Sequence, residues 1–206
     1  MGQITDIQNQ ARREGRVSVF VDEDFWTGMP ADIAGEHNLR IGQDISADKQ
    51  LQIEQQLAEE TAFASATNLL SFRDRSEHEM RKRLAEKQYG ESVIELTIVR
   101  LREYNYLDDE AFALQLAESQ LIRGRGKRAA QHALRQSGLE PELIETAIDQ
   151  AYAADSEHEA ALDFLQKKPK PEDAAAKQKL LRGLASRGFP FDVSLRAMEQ
   201  RLSESD

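Results

Sequence analysis

The sequence predicts a mainly α-helical protein: three tandem three-helix repeats in an elongated array, behind a small β-containing N-terminal extension. Three observations carry this. Leu84, Leu134 and Leu184 recur at an interval of 50 residues, and the apolar register around them recurs too. Helix-start and helix-stop signals fall in phase with that register. Only the first 45 residues alternate in the manner of strands.

Val17-Ser18-Val19-Phe20-Val21 is β-branched and alternating, and reads as a strand. Asp22-Glu23-Asp24 reads as a turn, with Phe25-Trp26-Thr27 returning as a second strand. Pro30 to Asn38 has short helical character, and Leu39 to Ile45 is turn-rich with room for one short strand. Hairpins alone are marginal, so this extension, residues 1–45, must pack on something.

From Ser46 onward the pattern is helical. Ser76-Glu77-His78-Glu79 and Ser156-Glu157-His158-Glu159 both read as capping boxes that start helices. Four residues before each repeat leucine stand Met80, Ala130 and Leu180; five after, Tyr89, Leu139 and Phe189; nine after, Val93, Leu143 and Val193; fourteen after, Ile98, Ile148 and Met198. Gln88, Gly138 and Gly188 occupy the helix end, where glycine is favoured. Pro141 and Pro190 stand where the next helix begins. A further helix precedes each pair, over roughly 61–73, 109–123 and 157–168, so the units are 46–108 with a lead-in helix, 109–155 and 156–206. Lys167-Lys168-Pro169-Lys170-Pro171 reads as a loop inside the third. Such arrays share contacts with neighbours only and offer long surfaces.

The 206 residues are 40% hydrophobic and 31% charged, a globular composition. A formal net charge of −10 argues against autonomous tight binding to duplex DNA. The absence of cysteine removes disulfides, thiolate chemistry and cysteine metal sites. The N-terminus lacks an apolar secretory stretch, and Asp6 breaks the myristoylation pattern that Gly2 would open. No apolar run approaches the roughly 20 residues of a membrane span. A soluble, cytoplasmic monomer is expected.

No catalytic constellation emerges. His37, His78, His132 and His158 are scattered, and none pairs at helical metal-ligand spacing. Gly124-Arg125-Gly126-Lys127-Arg128 lacks the spacing of a phosphate loop. Asp108-Asp109-Glu110 opens a helix, where acids suit the dipole. The sequence asks for no metal and no cofactor, and the chain reads as a non-enzyme.

Charge is more informative. From Gln120 to Arg135 stand Arg123, Arg125, Lys127, Arg128 and Arg135 with no acid. Arg73, Arg75, Arg81, Lys82 and Arg83 form a second basic run, diluted by Asp74, Glu77 and Glu79. In successive repeats the two runs could share one phosphate-facing surface; the competing reading is a solvated helix face. Arg123, Arg125, Lys127 and Arg128 are expected at a solvated turn.

Two segments resemble the RecX family. Leu70-Ser71-Phe72-Arg73-Asp74-Arg75-Ser76-Glu77-His78-Glu79-Met80-Arg81-Lys82-Arg83-Leu84 is similar to its aromatic or arginine segment, Ser-x-x-Glu and basic helix ending in leucine. Tyr106-Leu107-Asp108-Asp109-Glu110-Ala111-Phe112-Ala113 resembles its Tyr-Leu-Asp-Asp-x-x-Phe-Ala segment, the more specific match. The helix from Gly126 to Leu134 matches in part, with Ala129 and His132 departing from the pattern. The resemblance spans about residues 60–202. It implies three tandem three-helix repeats and a regulator of the RecA recombinase. Such a regulator binds along the groove of the RecA filament on single-stranded DNA. It inhibits ATP hydrolysis, strand exchange and co-protease function, and so bears on recombination, repair and the SOS response. Of the signature residues Tyr106, Leu107, Asp108, Asp109 and Phe112, Tyr106 and Leu107 are expected in the core between repeats and Asp108 as a cap, ahead of direct partner contact. A direct nucleic-acid binder of helix-turn-helix type and a helical scaffold without nucleic acid are the competing functions.

Overall fold

The structure is a computed structural model describing residues 1–11, 14–152 and 155–203. Val17 and Val19 turn the same way from β2 (Arg16–Val21) and are buried, so this strand hides one face. It pairs antiparallel with β3 (Asp24–Pro30) through a two-residue loop, Asp22-Glu23. Both loop residues have positive φ, 52° and 72°, the geometry that matches the right-handed twist of a hairpin. A strand that the sequence did not announce, β1 (Gly2–Asn9), pairs with the other side of β2, with a register shift between Ile4 and Asp6. The short β4 (Asp44–Ile45) closes the order β3-β2-β1-β4.

The sheet packs on α1 (Ala31–Glu36) and on the start of α2 (Ala47–Leu70). Ile4, Val19, Met29, Ile45 and Ile53 form this core, with Trp26 and Leu57 against it. Trp26 Nε1 donates to Glu54 Oε1 at 2.7 Å, tying sheet to helix. Ser46 caps α2 by accepting from Lys49 N. At about 1.5 Å per residue the 24-residue helix runs roughly 36 Å. Its second half carries Ala66, which lies in the next core. The expected 61–73 helix is therefore the end of a much longer one.

Three further cores follow. The first repeat combines the end of α2 with α3 (Glu77–Glu86) and α4 (Glu91–Glu103) around Met80, Leu84, Ile98 and Leu101. The second combines α5 (Asp109–Ile122), α6 (Lys127–Gln136) and α7 (Pro141–Ala151) around Ala117, Leu134 and Ile148. The third combines α8 (Ser156–Gln166), α9 (Ala174–Ser186) and α10 (Phe191–Ser203) around Leu165, Leu184 and Met198. Leu84, Leu134 and Leu184 are completely buried on equivalent helices. Gln88, Gly138 and Gly188 all take positive φ just past the middle helix, so Gln88 adopts the conformation its glycine counterparts adopt freely.

Neighbouring repeats meet by one device used twice. At the first junction Ser76 Oγ donates to the Ser137 carbonyl at 2.5 Å, and Glu77 N donates to Asp109 Oδ1 at 2.9 Å. At the second, Gly126 N donates to the Arg187 carbonyl at 3.0 Å and Arg128 N to the Gly188 carbonyl at 3.2 Å. There Lys127 N donates to Glu157 Oε1 at 2.7 Å. A helix start leaves N–H groups without intrahelical partners, and a carboxylate there also meets the positive end of the dipole. The middle helices of the first two repeats, α3 and α6, are thus each capped by a carboxylate from the next repeat, whereas α9 is capped by its own Asp173. Burial pushes the Asp109 and Glu157 carboxyls up from the ordinary range, against the hydrogen bonds they accept.

Two start signals behave differently from expectation. Ser76 Oγ accepts from Glu79 N at 3.1 Å, but the Glu79 carboxylate pairs with Arg73 at 2.8 Å instead of reaching back. Ser156 is already the first residue of α8, behind Asp155, so it is not the N-cap that the expected capping box with Glu159 requires.

Candidate nucleic-acid interface

The middle helices place the basic residues. α6 carries Lys127, Arg128 and Arg135 and no acid. The α6 C-terminal end meets the first basic run: Arg75, Lys82 and Arg83 line a depression of about 150 Å³ with Gln136. The α6 N-terminal end meets the third repeat at Arg187 and Gly188. The second run therefore lies on and just before a helix about 15 Å long, with the first run at its C-terminal end.

They differ in how far their charge is available. In the first run Arg73 pairs with Glu79, Arg83 with Glu86, and Arg81 with both Glu77 and Glu95 at 2.9 Å. Arg102 joins by pairing with Glu77 through two hydrogen bonds. Burial alone would raise Glu77, but Arg102 and Arg81 outweigh it and hold the carboxyl below its usual range. The hydrogen bond to Glu95 raises Arg81 in turn, so Arg81 serves as a structural tie between α3 and α4. Arg75 is lowered by burial and by nearby Arg73, and its Nε donates to the Leu69 carbonyl. Lys82 is exposed and makes no ion pair among the described residues.

In the second run, Arg123, Arg125, Lys127, Arg128 and Arg135 make no ion pair within 4.0 Å among the described residues. Arg123, Arg125, Arg128 and Arg135 are exposed. Lys127 is half-buried, so the expected solvated turn is in part a repeat junction. The Tyr152 hydroxyl donates to the Arg125 carbonyl at 2.8 Å and fixes the backbone of this turn. Burial, with Glu157 nearby, pushes that phenol well above its ordinary range.

The sequence reading missed a third acid-free stretch, Ala174 to Phe191, with Lys177, Lys179, Arg182 and Arg187. Its signal was the same local loss of acids. Arg182 and Lys179 are exposed, while the Arg187 guanidinium lies 4.6 Å over the Phe164 ring. The Arg187 and Gly188 carbonyls accept from the start of α6, which brings the end of α9 to the N-terminal end of that helix.

The signature residues divide. Leu107 is buried, and Phe112 packs on the second core. Asp108 Oδ1 accepts from Ala111 N at 2.9 Å as a cap, and Asp109 reaches into the first junction. Tyr106 corrects the core expectation: it is 54% exposed. With Phe63 and Tyr104 it forms an aromatic group with ring centroids 5.8 to 6.4 Å apart. Arg100 lies 4.0 Å over Phe63 and pairs with Glu60. The helix-turn-helix reading fares poorly in the second repeat, because α7 carries Glu142, Glu145 and Asp149 and no base to meet phosphate. No helix among the described residues is long and apolar enough to cross a membrane.

Comparison with known proteins adds the following. Four family models match successive parts of the chain: the regulatory protein RecX N-terminal domain over 2–46, and the first, second and third RecX three-helix domains over 62–101, 108–148 and 155–198. Regulatory protein RecX of Bacillus velezensis is 30% identical, over 98% of this chain and 79% of that one. Regulatory protein RecX of Clostridium perfringens is 31% identical, over 93% and 92%. A crystal structure of regulatory protein RecX superposes with a TM-score of 0.71 at 21% identity, covering 97% of this chain and 100% of that one. A crystal structure of RecX from Lactobacillus salivarius gives 0.62 at 16% identity, covering 70% and 96%.

Proposed function

The chain belongs to the RecX family of regulatory proteins, and from that premise we propose that it is a non-enzymatic regulator of the RecA filament. It binds as a monomer along the filament on single-stranded DNA in the cytoplasm. There it lowers ATP hydrolysis, strand exchange and co-protease activity, and so restrains recombination and repair. The observation that supports this beyond the family is the charge on α6. A chain of net −10 concentrates unpaired cations there and on the adjoining α9, while the α3 cations are mostly tied to carboxylates. Cations already paired have little to offer a phosphate; those of α6 release counterions when they meet one. The contact is auxiliary: binding to naked DNA is weak, and affinity requires the recombinase.

The experiment reverses Arg123, Arg125 and Arg128 to Glu and leaves the junction residue Lys127 untouched. Filament binding and DNA-dependent ATP hydrolysis by the cognate recombinase are then measured against salt. Each lost contact to single strands flattens the log–log salt slope by about 0.7. Melting should barely change, since exposed substitutions of this kind move stability by under about 0.5 kcal/mol each. A variant that melts normally and binds with the wild-type slope rejects the DNA-facing role. Unchanged recombinase turnover at saturating wild-type protein rejects the regulatory reading itself.

A further inference from the structure

The second repeat segregates charge by helix. α5 and α7 carry Asp109, Glu110, Glu118, Glu142, Glu145 and Asp149 and no base, while α6 carries only bases. Along α5 run two depressions. One, of about 490 Å³, lies beside the first junction and is lined by Tyr106, Phe112 and Glu118. The other, of about 420 Å³, lies between α5 and α7 and is lined by Glu110, Leu143 and Ala147. Asp108, Ala111 and Leu114 line both, so the two adjoin along α5 as one grooved surface. Its apolar lining is Ala111, Leu114, Leu143 and Ala147, beside Gln115, Thr146 and Gln150, and the half-exposed Tyr106 ring lines the depression at the first junction. Asp108, Glu110 and Glu118 make no ion pair among the described residues. The one cation in the described lining, Arg75, sits beside Asp74.

We infer that this groove is a protein-docking surface for a basic segment of the partner. An apolar side chain seats on Leu114 and Leu143, and arginine or lysine side chains reach Asp108, Glu110 and Glu118. Charge complementarity selects this occupant: phosphate is repelled by these carboxylates, whereas a guanidinium can pair with them and stack on Tyr106. A second copy of this chain, with net charge −10, is disfavoured for the same reason. The inference rests on the filament reading and assigns the recombinase protein to the α5–α7 side, leaving DNA to α6.

The test uses the full chain with Glu110 and Glu118 changed together, to Lys or to Gln, and separately Tyr106→Ala. The probes are preformed recombinase filaments on single-stranded DNA, and that DNA alone. The Lys pair should weaken filament binding about tenfold or more at low salt, with the Gln pair less affected. Binding to naked single strands should be kept or rise. Tyr106→Ala should lose several-fold on filaments only, which gives a second reading should the Lys pair fail to melt as wild type. Carbodiimide coupling should join Glu110 or Glu118 to a recombinase lysine. Wild-type affinity for filaments in all three variants overturns the groove while leaving the filament reading standing. Tighter filament binding by the Lys pair means that phosphate occupies the groove and overturns it too. Failure of the wild-type chain to bind filaments removes both.

Discussion

Gly126→Ala against Gly90→Ala isolates what the second junction contributes. Both glycines are N-cap residues with extended backbone, φ −80° and −67°, and neither offers a side-chain cap. Both substitutions therefore carry the same modest cost of putting Ala at an N-cap. They differ in surroundings. A Cβ at Gly90 meets nothing within 4 Å, whereas one at Gly126 falls 2.5 Å from the Gly188 carbonyl oxygen and from Phe189 N and Cα. Those are backbone atoms and cannot rotate away, so the third repeat must retreat by about 1 Å to reach ordinary contact near 3.5 Å. Overpacking of this kind costs about 1–3 kcal/mol. The retreat also stretches the hydrogen bonds from Gly126 N, Lys127 N and Arg128 N, each worth about 0.5–1.5 kcal/mol. Since a shift that relieves the clash spends the bonds, the two do not add fully, and the excess over Gly90→Ala should be about 2–4 kcal/mol. At about 2–4 °C per kcal/mol for a chain of this size, that lowers the melt by roughly 5–15 °C. Urea unfolding and amide exchange check it, with lost protection expected first at the amides of Gly126, Lys127 and Arg128. If both variants unfold within about 0.5 kcal/mol of each other and those amides stay protected, the junction geometry argued above is wrong.

Two further outcomes follow from burial. Leu84→Ala, Leu134→Ala and Leu184→Ala should each cost about 2–5 kcal/mol in denaturant titrations, because all three side chains are fully buried at equivalent places; a near-neutral result at two of them would contradict the repeat. Glu157 is 5% exposed and its carboxyl is raised by burial, so the folded state favours its protonated form. Its contribution to stability is present below the ordinary carboxylate range and is lost as pH rises through the raised value. Glu157→Gln keeps an acceptor for Lys127 N and should flatten that pH dependence between mildly acidic and neutral conditions; identical wild-type and variant profiles would remove the assignment.

Much of the fold could be read from sequence because its cues are local. A repeat leucine, a residue able to take positive φ after it and a proline at the next start are decided within a turn or two of helix, and they recur in Leu134, Gly138 and Pro141. The family signature at Tyr106 to Ala113 is equally local. What local reading missed depends on residues far along the chain. β1 shows little strand character by itself and exists through pairing with β2 and β4. The length of α2 follows from serving two cores at once.

The sequence by itself determined the repeat, the family and the place of the basic runs, because periodicity and composition are properties of neighbours in the chain. Only the tertiary structure decided which of those charges are available. Arg81 and Arg128 look alike in sequence, yet Arg81 is held by Glu77 and Glu95 while Arg128 faces solvent with no ion pair among the described residues. Glu157 looks like any helix-start acid, yet its partner is the amide of a residue 30 positions earlier. Tyr106 looks like core and is exposed because the chain turns at Asn105, whose φ is +56°, sending Leu107 inward in its place. Pairing and burial fall off over a few ångströms in space, and the chain brings distant residues within that range only once it has folded.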